Sequence, residues 1–466
     1  MLKESLYNHY VRFGQDEDEP LLLFNALSCA LIEITDPDFS LQKIIEDGDE
    51  NTITMMKEGN FLIDDESNEL DYLQYLSTKS RFGRTALSLT ILPTLDCNFA
   101  CTYCYEEHKK IAMNNDMIEK IVHIVEQACK NGITSFFVEW YGGEPLLEID
   151  TIQKLSETFM KLTKEHNILY EAGMVSNGYL LNQENVKQLS DWKVKKIQIT
   201  LDGPPEYHNK TRRHVSGNDT FYPILNGVKL VSGYMPVALR INATKTNIES
   251  LDELLHILVE NKIHTMNVSP YLGFIKATTK ACKSSSGSCL TDEEFVLNNS
   301  EFIKKIDNLG FQNYSYPTPS FRLCGAVSEN SFVIAPNGNL FKCWETIGMD
   351  SEVVGNIADN IMKPEHQNNF LKWLLFDPFR NQYCTKCNLF PICFGGCPSD
   401  HVVHHGEVLR SKDFSSCSSF KHELYFKQMM SIIHKKYKRG DFAKKQEKSE
   451  SDKDKDDKQN TSEKSS

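Results

Sequence analysis

From residue 87 onward six short apolar runs recur, at 87–92, 136–140, 172–175, 197–201, 237–241 and 265–268. Helical patterns separate them, for example at 151–165, 183–192 and 248–259. Strands that alternate with helices over this length predict parallel βαβ units. Six such units fit an incomplete α/β barrel better than a flat sheet. In barrels of this kind the functional groups gather at the C-terminal ends of the strands. The residues that follow each run therefore carry the most information.

The flanking segments read differently. Residues 1–80 form a small mixed α/β unit, with strand-like runs from Leu21 and from Asn60 and helical pieces near 41–45 and 69–76. Residues 273–320 read as a bridge. Within it 283–288 is flexible in composition, and Thr291 with Glu294 has capping-box spacing, which predicts a helix from Asp292. A cysteine-rich unit spans 321–434 and ends in a helix rich in Phe, Met and Ile. Residues 443–466 carry almost no apolar side chain and are expected to be disordered.

Composition narrows the partners. Of 466 residues, 40% are hydrophobic, enough for a real core. No run of 18 apolar residues is present, so no spanning helix is expected. The N-terminus lacks a basic segment followed by an apolar run, so a cytoplasmic location is expected. The net charge of −13 is diffuse and argues against nucleic acid as the main partner.

Fourteen cysteines in a reducing compartment point to metal ligation, catalysis or buried thiols rather than disulfides. Their spacing separates these readings. Cys97, Cys101 and Cys104 form a C-x3-C-x2-C group just after the first run. Three thiolates on one tight loop can bind three irons of a four-iron cluster and leave the fourth open to a small molecule. Tyr103 stands ready to pack against that molecule. A zinc site with a distant fourth ligand is the competing reading of three cysteines alone. Gly142-Gly143-Glu144-Pro145 follows the second run and points to the same rim.

Taken in order, these motifs resemble a radical S-adenosylmethionine (SAM) enzyme over about 85–272. The resemblance implies a partial (β/α)6 TIM-like barrel in which SAM chelates the open iron and reductive cleavage yields a 5′-deoxyadenosyl radical. It implies that Gly142 and Gly143 let the backbone approach the methionine amino group, with Glu144 as a nearby negative charge. Ser176 and Asn177, after the third run, resemble the segment that contacts SAM. Asp202 and the stretch His208 to Arg212 resemble a segment of the peptide-modifying branch, in which Arg212 would pair with the SAM carboxylate. The family often has Asp where Asn209 stands.

The later cysteines, Cys324, Cys343, Cys384, Cys387, Cys393, Cys397 and Cys417, resemble the seven-cysteine pattern of SPASM domains. The resemblance implies two auxiliary four-iron clusters, three [4Fe–4S] clusters in all. Cys384, Cys387, Cys393 and Cys417 would close one; Cys324, Cys343 and Cys397 would hold the other. Two closed clusters need eight ligands and the pattern supplies seven. Either one iron is open, or Cys282 or Cys289 completes the shell. Pro336-Asn337-Gly338 reads as a hairpin turn that brings Cys324 and Cys343 together.

The N-terminal unit resembles the peptide-recognition domain of such maturases, which grips a leader by adding a strand to a sheet edge. The function this implies is crosslinking of a ribosomally made precursor peptide with a leader. Thioether formation of the sactipeptide or ranthipeptide type comes first, and carbon–carbon crosslinking or anaerobic sulfatase maturation second. An electron donor such as flavodoxin or ferredoxin is implied. A non-catalytic zinc-binding interaction module is the rival from another class.

Overall fold

The computed structural model describes residues 1–12, 21–104, 106, 108–275, 287–312, 317–319, 324–359, 363–403 and 423–438. Cys282, Cys417 and the expected tail at 443–466 lie outside them.

Side-chain alternation builds the central sheet. In the first barrel strand, Ala86–Ile91, Leu87, Leu89 and Ile91 are buried, and in the second, Ser135–Trp140, Phe136, Val138 and Trp140 are. Leu169–Ser176, Val194–Thr200, Val237–Ala243 and Val268–Phe274 follow, each pairing in parallel with the one before. Helices cross between them; Asn115–Lys130, for example, buries Met117, Ile118, Ile121, Val125 and Cys129 on one face and is capped by Asn114. Cys129 is thus a buried core thiol.

The six strands form an open sheet that does not close on itself. On the far side of the first strand lie Ser331–Ile334, parallel to it, then Asn339–Phe341 and Gly355–Asn356, both antiparallel. These nine strands fit a partial barrel whose sheet continues into the cysteine-rich segment. The sixth strand corrects the sequence reading. Residues 263–265 form a 3-10 turn after left-handed Lys262, and the strand starts only at Val268. Pro270 and Gly273 disguise it. A proline is tolerated there because this strand is the sheet's edge.

The first 80 residues form a three-stranded antiparallel sheet of Asn8–Arg12, Leu21–Asn25 and Leu31–Ile34, a two-stranded pair of Leu2–Glu4 with Leu62–Asp64, and three helices. This sheet shares its core with the cysteine-rich segment. Tyr7, Val11, Leu22 and Phe24 pack with Cys384, Leu389, Phe390, Phe394 and Phe426. Asn388 Nδ2 donates to the Asn8 carbonyl at 3.4 Å, and Arg81 donates to the carbonyls of Leu374 and Phe376 at 2.6 and 2.7 Å. The capping box of Thr291 and Glu294 starts helix Asp292–Asn308, which packs on the C-terminal helix Glu423–Lys438.

Candidate functional site

The C-terminal rim of the sheet encloses a cavity of about 360 Å³. Cys97, Cys101, Cys104, Tyr103, Gly142, Gly143, Ser176, Asn177 and Arg212 all line it. Residues that motif reading did not single out line it as well: Gln198, Thr200, Arg240 and Asn242 from strand ends, and Tyr141, Trp344, Glu345 and Asp400 toward the cysteine-rich segment.

The cysteine loop is braced from two sides. The backbone of Phe99–Cys101 pairs with Arg212–His214, so Arg212 stands opposite Cys101. The Gly-Gly-Glu-Pro loop is stitched to the stretch before Cys97: Gly143 N donates to Thr94 O at 3.3 Å and Glu144 N to Asp96 O at 2.9 Å. A Cβ on Gly142 would lie 2.4 Å from Thr94 O, and one on Gly143 2.2 Å from Asp96 O. Gly142 also sits at φ +122°, a region that favours glycine. Both glycines are therefore required by close passage of the cysteine loop, whatever else they face.

Glu144 is fully buried and lies behind the cavity wall. Its carboxylate accepts from Leu146 N (3.0 Å), Ser176 Oγ (2.9 Å) and Asn177 N (2.7 Å). It thus ties the second strand's loop to the third's, and burial raises its pKa. Asn177 Nδ2 in turn donates to Asn98 Oδ1 at 2.7 Å and lies 4.0 Å from Cys97 Sγ.

A buried polar network closes the other side. The Tyr103 hydroxyl donates to Asp202 Oδ2 and accepts from Arg212 Nη1 (2.8 Å) and Asn242 Nδ2 (3.1 Å). Asp202 also accepts from Asn242 N at 2.9 Å. Burial raises the Asp202 pKa against the pull of Arg212. Burial opposes the Arg212 charge, but Cys101, Tyr103 and Asp202 outweigh it and hold its pKa above the ordinary value. Arg212 Nε is buried without a hydrogen-bond partner among the described residues. That spare donor on the cavity wall suits an anionic group such as a carboxylate. Asn209 does separate work: its Oδ1 accepts from Thr220 N, Thr220 Oγ and Phe221 N and starts helix Phe221–Val231, a task open equally to Asp.

Burial pushes the Cys104 thiol up to about 12 and raises those of Cys97 and Cys101 too. Buried thiols side by side are best ionised by a bound cationic group. Among the described residues no three His, Cys, Asp or Glu side chains are arranged to hold a single metal ion. A four-iron cluster is a larger body held by cysteine sulfurs, and this donor set has the chemistry for one. His108 Nε2 lies 3.3 Å from Cys104 Sγ.

The second trio comes together from distant segments. The hairpin of Ser331–Ile334 and Asn339–Phe341, turned at Gly338 with φ +84°, carries Cys343 back toward Cys324. Burial, Glu345, and then Cys324 and Cys397 raise the Cys343 pKa, which places the Cys343 sulfur within electrostatic reach of each of the other two. Cys397 opens onto the cavity already described. Beside it Tyr141 stacks on Trp344, with ring centroids 5.6 Å apart. Next to Cys343, Lys342 is buried against the Phe332 and Phe370 rings and donates to the carbonyls of Ser328 and Ser331. Cys384, Cys387 and Cys393 lie in a run of short helical turns, of which Cys384 and Cys387 pack in the core shared with the N-terminal sheet. Cys289 is not on the cavity wall; its neighbour Ser288 accepts from Lys245 N beyond the fifth strand.

The model of the radical SAM superfamily matches residues 91–266. The chain carries a radical SAM domain. A domain of this superfamily marks an enzyme and implies a [4Fe–4S] cluster and SAM. It is 27% identical over 388 residues to a cysteine-type anaerobic sulfatase-maturating enzyme of Clostridium perfringens, covering 75% of this chain and 98% of that one. It is 21% identical over 345 residues to a serine-type counterpart from Bacteroides thetaiotaomicron, covering 65% and 80%. Among solved structures, anSMEcpe with bound AdoMet and Cp18Cys peptide superposes with a TM-score of 0.57 at 20% identity, over 75% of this chain and 98% of that one. Streptococcus suis SuiB bound to precursor peptide SuiA gives 0.51 at 18%, over 90% and 100%. These structures share the fold. No helix among the described residues is long and apolar enough to cross a membrane.

Proposed function

We propose that this radical SAM enzyme is a peptide maturase that joins a cysteine sulfur to a carbon of another residue in a precursor peptide. The observation that carries the reading is the shared cavity: Cys97, Cys101 and Cys104 on one wall, Cys397 of the second trio on another. A cluster and SAM at the first trio would supply one-electron cleavage of the sulfonium and so hydrogen-atom abstraction. Arg212 and Asn177 would orient the SAM amino-acid end, and the Tyr103–Asp202–Asn242 network would keep Arg212 in place. Cys324, Cys343 and Cys397 would hold a second cluster, leaving room for a substrate thiolate on that wall. Cys384, Cys387, Cys393 and Cys417 would hold a third. Tyr141 and Trp344 would line the peptide's path between the walls. A leader can add to Leu31–Ile34, the edge strand of the N-terminal sheet. An external donor such as flavodoxin or ferredoxin would deliver the electrons.

Anaerobic sulfatase maturation is the second reading, favoured by the two sulfatase-maturating relatives. Co-expression with a candidate short Cys-rich precursor peptide, sought among the neighbouring reading frames, followed by mass spectrometry, separates them. Loss of two hydrogens per crosslink, with the cysteine no longer alkylated, supports thioether formation. An unchanged peptide, together with oxidation of a sulfatase active-site peptide by the same protein, overturns it.

A further inference from the structure

Tyr7 is 0% exposed, and its hydroxyl has no hydrogen-bond partner among the described residues. Such a group is costly unless something else completes it. Glu69, the carboxylate whose charge reaches Tyr7, already accepts from Ser5 Oγ (2.7 Å), Leu6 N (3.1 Å) and Asn60 Nδ2 (2.9 Å). What remains beside Tyr7 is the cysteine-rich segment. Tyr7 shares a core with Cys384, Leu389 and Phe390, and Cys387 packs against the same cluster. After burial and Glu69, Cys387 is the third influence that raises the Tyr7 pKa, so its sulfur lies within electrostatic reach of the hydroxyl. The chain holds them there: Asn388, the next residue after Cys387, donates to Asn8 O, the next after Tyr7.

We infer that the Tyr7 hydroxyl donates a hydrogen bond to the Cys387 sulfur when that sulfur carries iron, making Tyr7 a positioning residue through which the N-terminal sheet tunes a cluster. This rests on the reading that Cys384, Cys387 and Cys393 hold a four-iron cluster. A donor to a cluster sulfur stabilises the more negative, reduced state and raises the reduction potential. A buried hydroxyl with no partner among the described residues thus suits completion by a cluster ligand.

The test compares the full-length wild type with Tyr7→Phe, reconstituted anaerobically. Iron per chain, midpoint potentials from spectroscopically monitored redox titration, and thermal unfolding of the metal-free protein are measured. The expected result has three parts. Iron stays at roughly twelve per chain (three clusters of four). Metal-free unfolding is unchanged or moves to higher temperature, because a partnerless hydroxyl has been removed. One midpoint of three moves negative by about a tenfold change in equilibrium constant, ~59 mV for one electron. Full iron with all three midpoints unmoved overturns the inference, as does a lower metal-free melting temperature, which would reveal a protein partner for the hydroxyl. Wild-type protein that binds only about four irons overturns the cluster reading itself, an outcome distinct from the other two.

Discussion

Gly143→Ala distinguishes two reasons for the Gly-Gly pair. One is clearance for SAM, as the family resemblance implies. The other is passage of the cysteine loop, as the geometry indicates. A Cβ at 143 would sit 2.2 Å from Asp96 O, 2.7 Å from its carbonyl carbon and 2.9 Å from Leu95 O. All three are backbone atoms that no rotamer change can remove, so the loop must shift by about 1 Å to restore ordinary contact. The next residue is Cys97. Overpacking of this kind costs about 1–3 kcal/mol. The φ of Gly143 is not in the left-handed region, so the cost is steric alone. The assay is urea unfolding together with iron analysis. We expect a destabilisation in that range and loss of about four irons, those of the first trio. Gly233→Ala is the control, since its new Cβ would meet nothing closer than 3.6 Å. Wild-type stability and full iron in Gly143→Ala, with only SAM affinity lost, would refute the loop argument.

Two further outcomes follow from buried groups. Glu144→Gln turns one acceptor oxygen into a donor opposite an N–H or O–H that it now serves, so denaturation should show a loss of about 1–3 kcal/mol; a change below about 0.5 kcal/mol would mean that the three hydrogen bonds do not hold the loops. His9 packs at a tilt against Phe426, with ring centroids 4.8 Å apart, and pairs with Asn388, and burial pushes its pKa down to about 4. Its folded pKa is below the unfolded value, so its contribution is present above about 6.5 and is lost as pH falls toward 4. The metal-free protein should lose on the order of 1–3 kcal/mol across that window, and His9→Phe should flatten the profile; an unaltered slope in the variant counts against it.

The parallel barrel was legible because its strands leave short apolar runs that helical periods interrupt. Its sixth strand was not, since Pro270 breaks the run and Gly273 empties it. Gly273 is there because a Cβ would fall 2.5 Å from Arg240 Nε. The first cysteine trio was visible through its spacing, and the second only as what the seven-cysteine resemblance implies. Their surroundings were not: Tyr103, Asp202, Arg212 and Asn242 span some 140 residues, and only the fold places them around one hydroxyl. Glu144 was visible as part of a motif, yet its partners Ser176 and Asn177 show that its charge is spent on two loops behind the cavity.

The N-terminal unit bears on how any leader hypothesis can be tested. Removing residues 1–80 would seem to separate a leader-dependent maturase from one that needs no leader. That logic requires a detachable module. Here Tyr7, Leu22 and Phe24 share a core with Cys384 and Phe390, and Glu33 accepts from His434 and Lys438 of the C-terminal helix. Arg81, buried, spends its guanidinium on the carbonyls of Val327, Leu374 and Phe376. Truncation would uncover apolar surface beside Cys384 and Cys387 and remove most of helix Glu69–Phe82, which carries Arg81, so lost turnover would report a damaged cysteine-rich segment as readily as a missing leader grip. A substitution on the outer side of edge strand Leu31–Ile34 is narrower. Asn25 N donates to Ala30 O, so in this register the N–H of Leu31, the next residue, points away from the sheet. Leu31→Pro removes that N–H, and it should abolish leader-dependent turnover while iron content holds. Because Leu31 also packs against the core shared with the cysteine-rich segment, unfolding must be measured alongside. Turnover that persists in a folded, iron-replete Leu31→Pro protein would place the leader elsewhere.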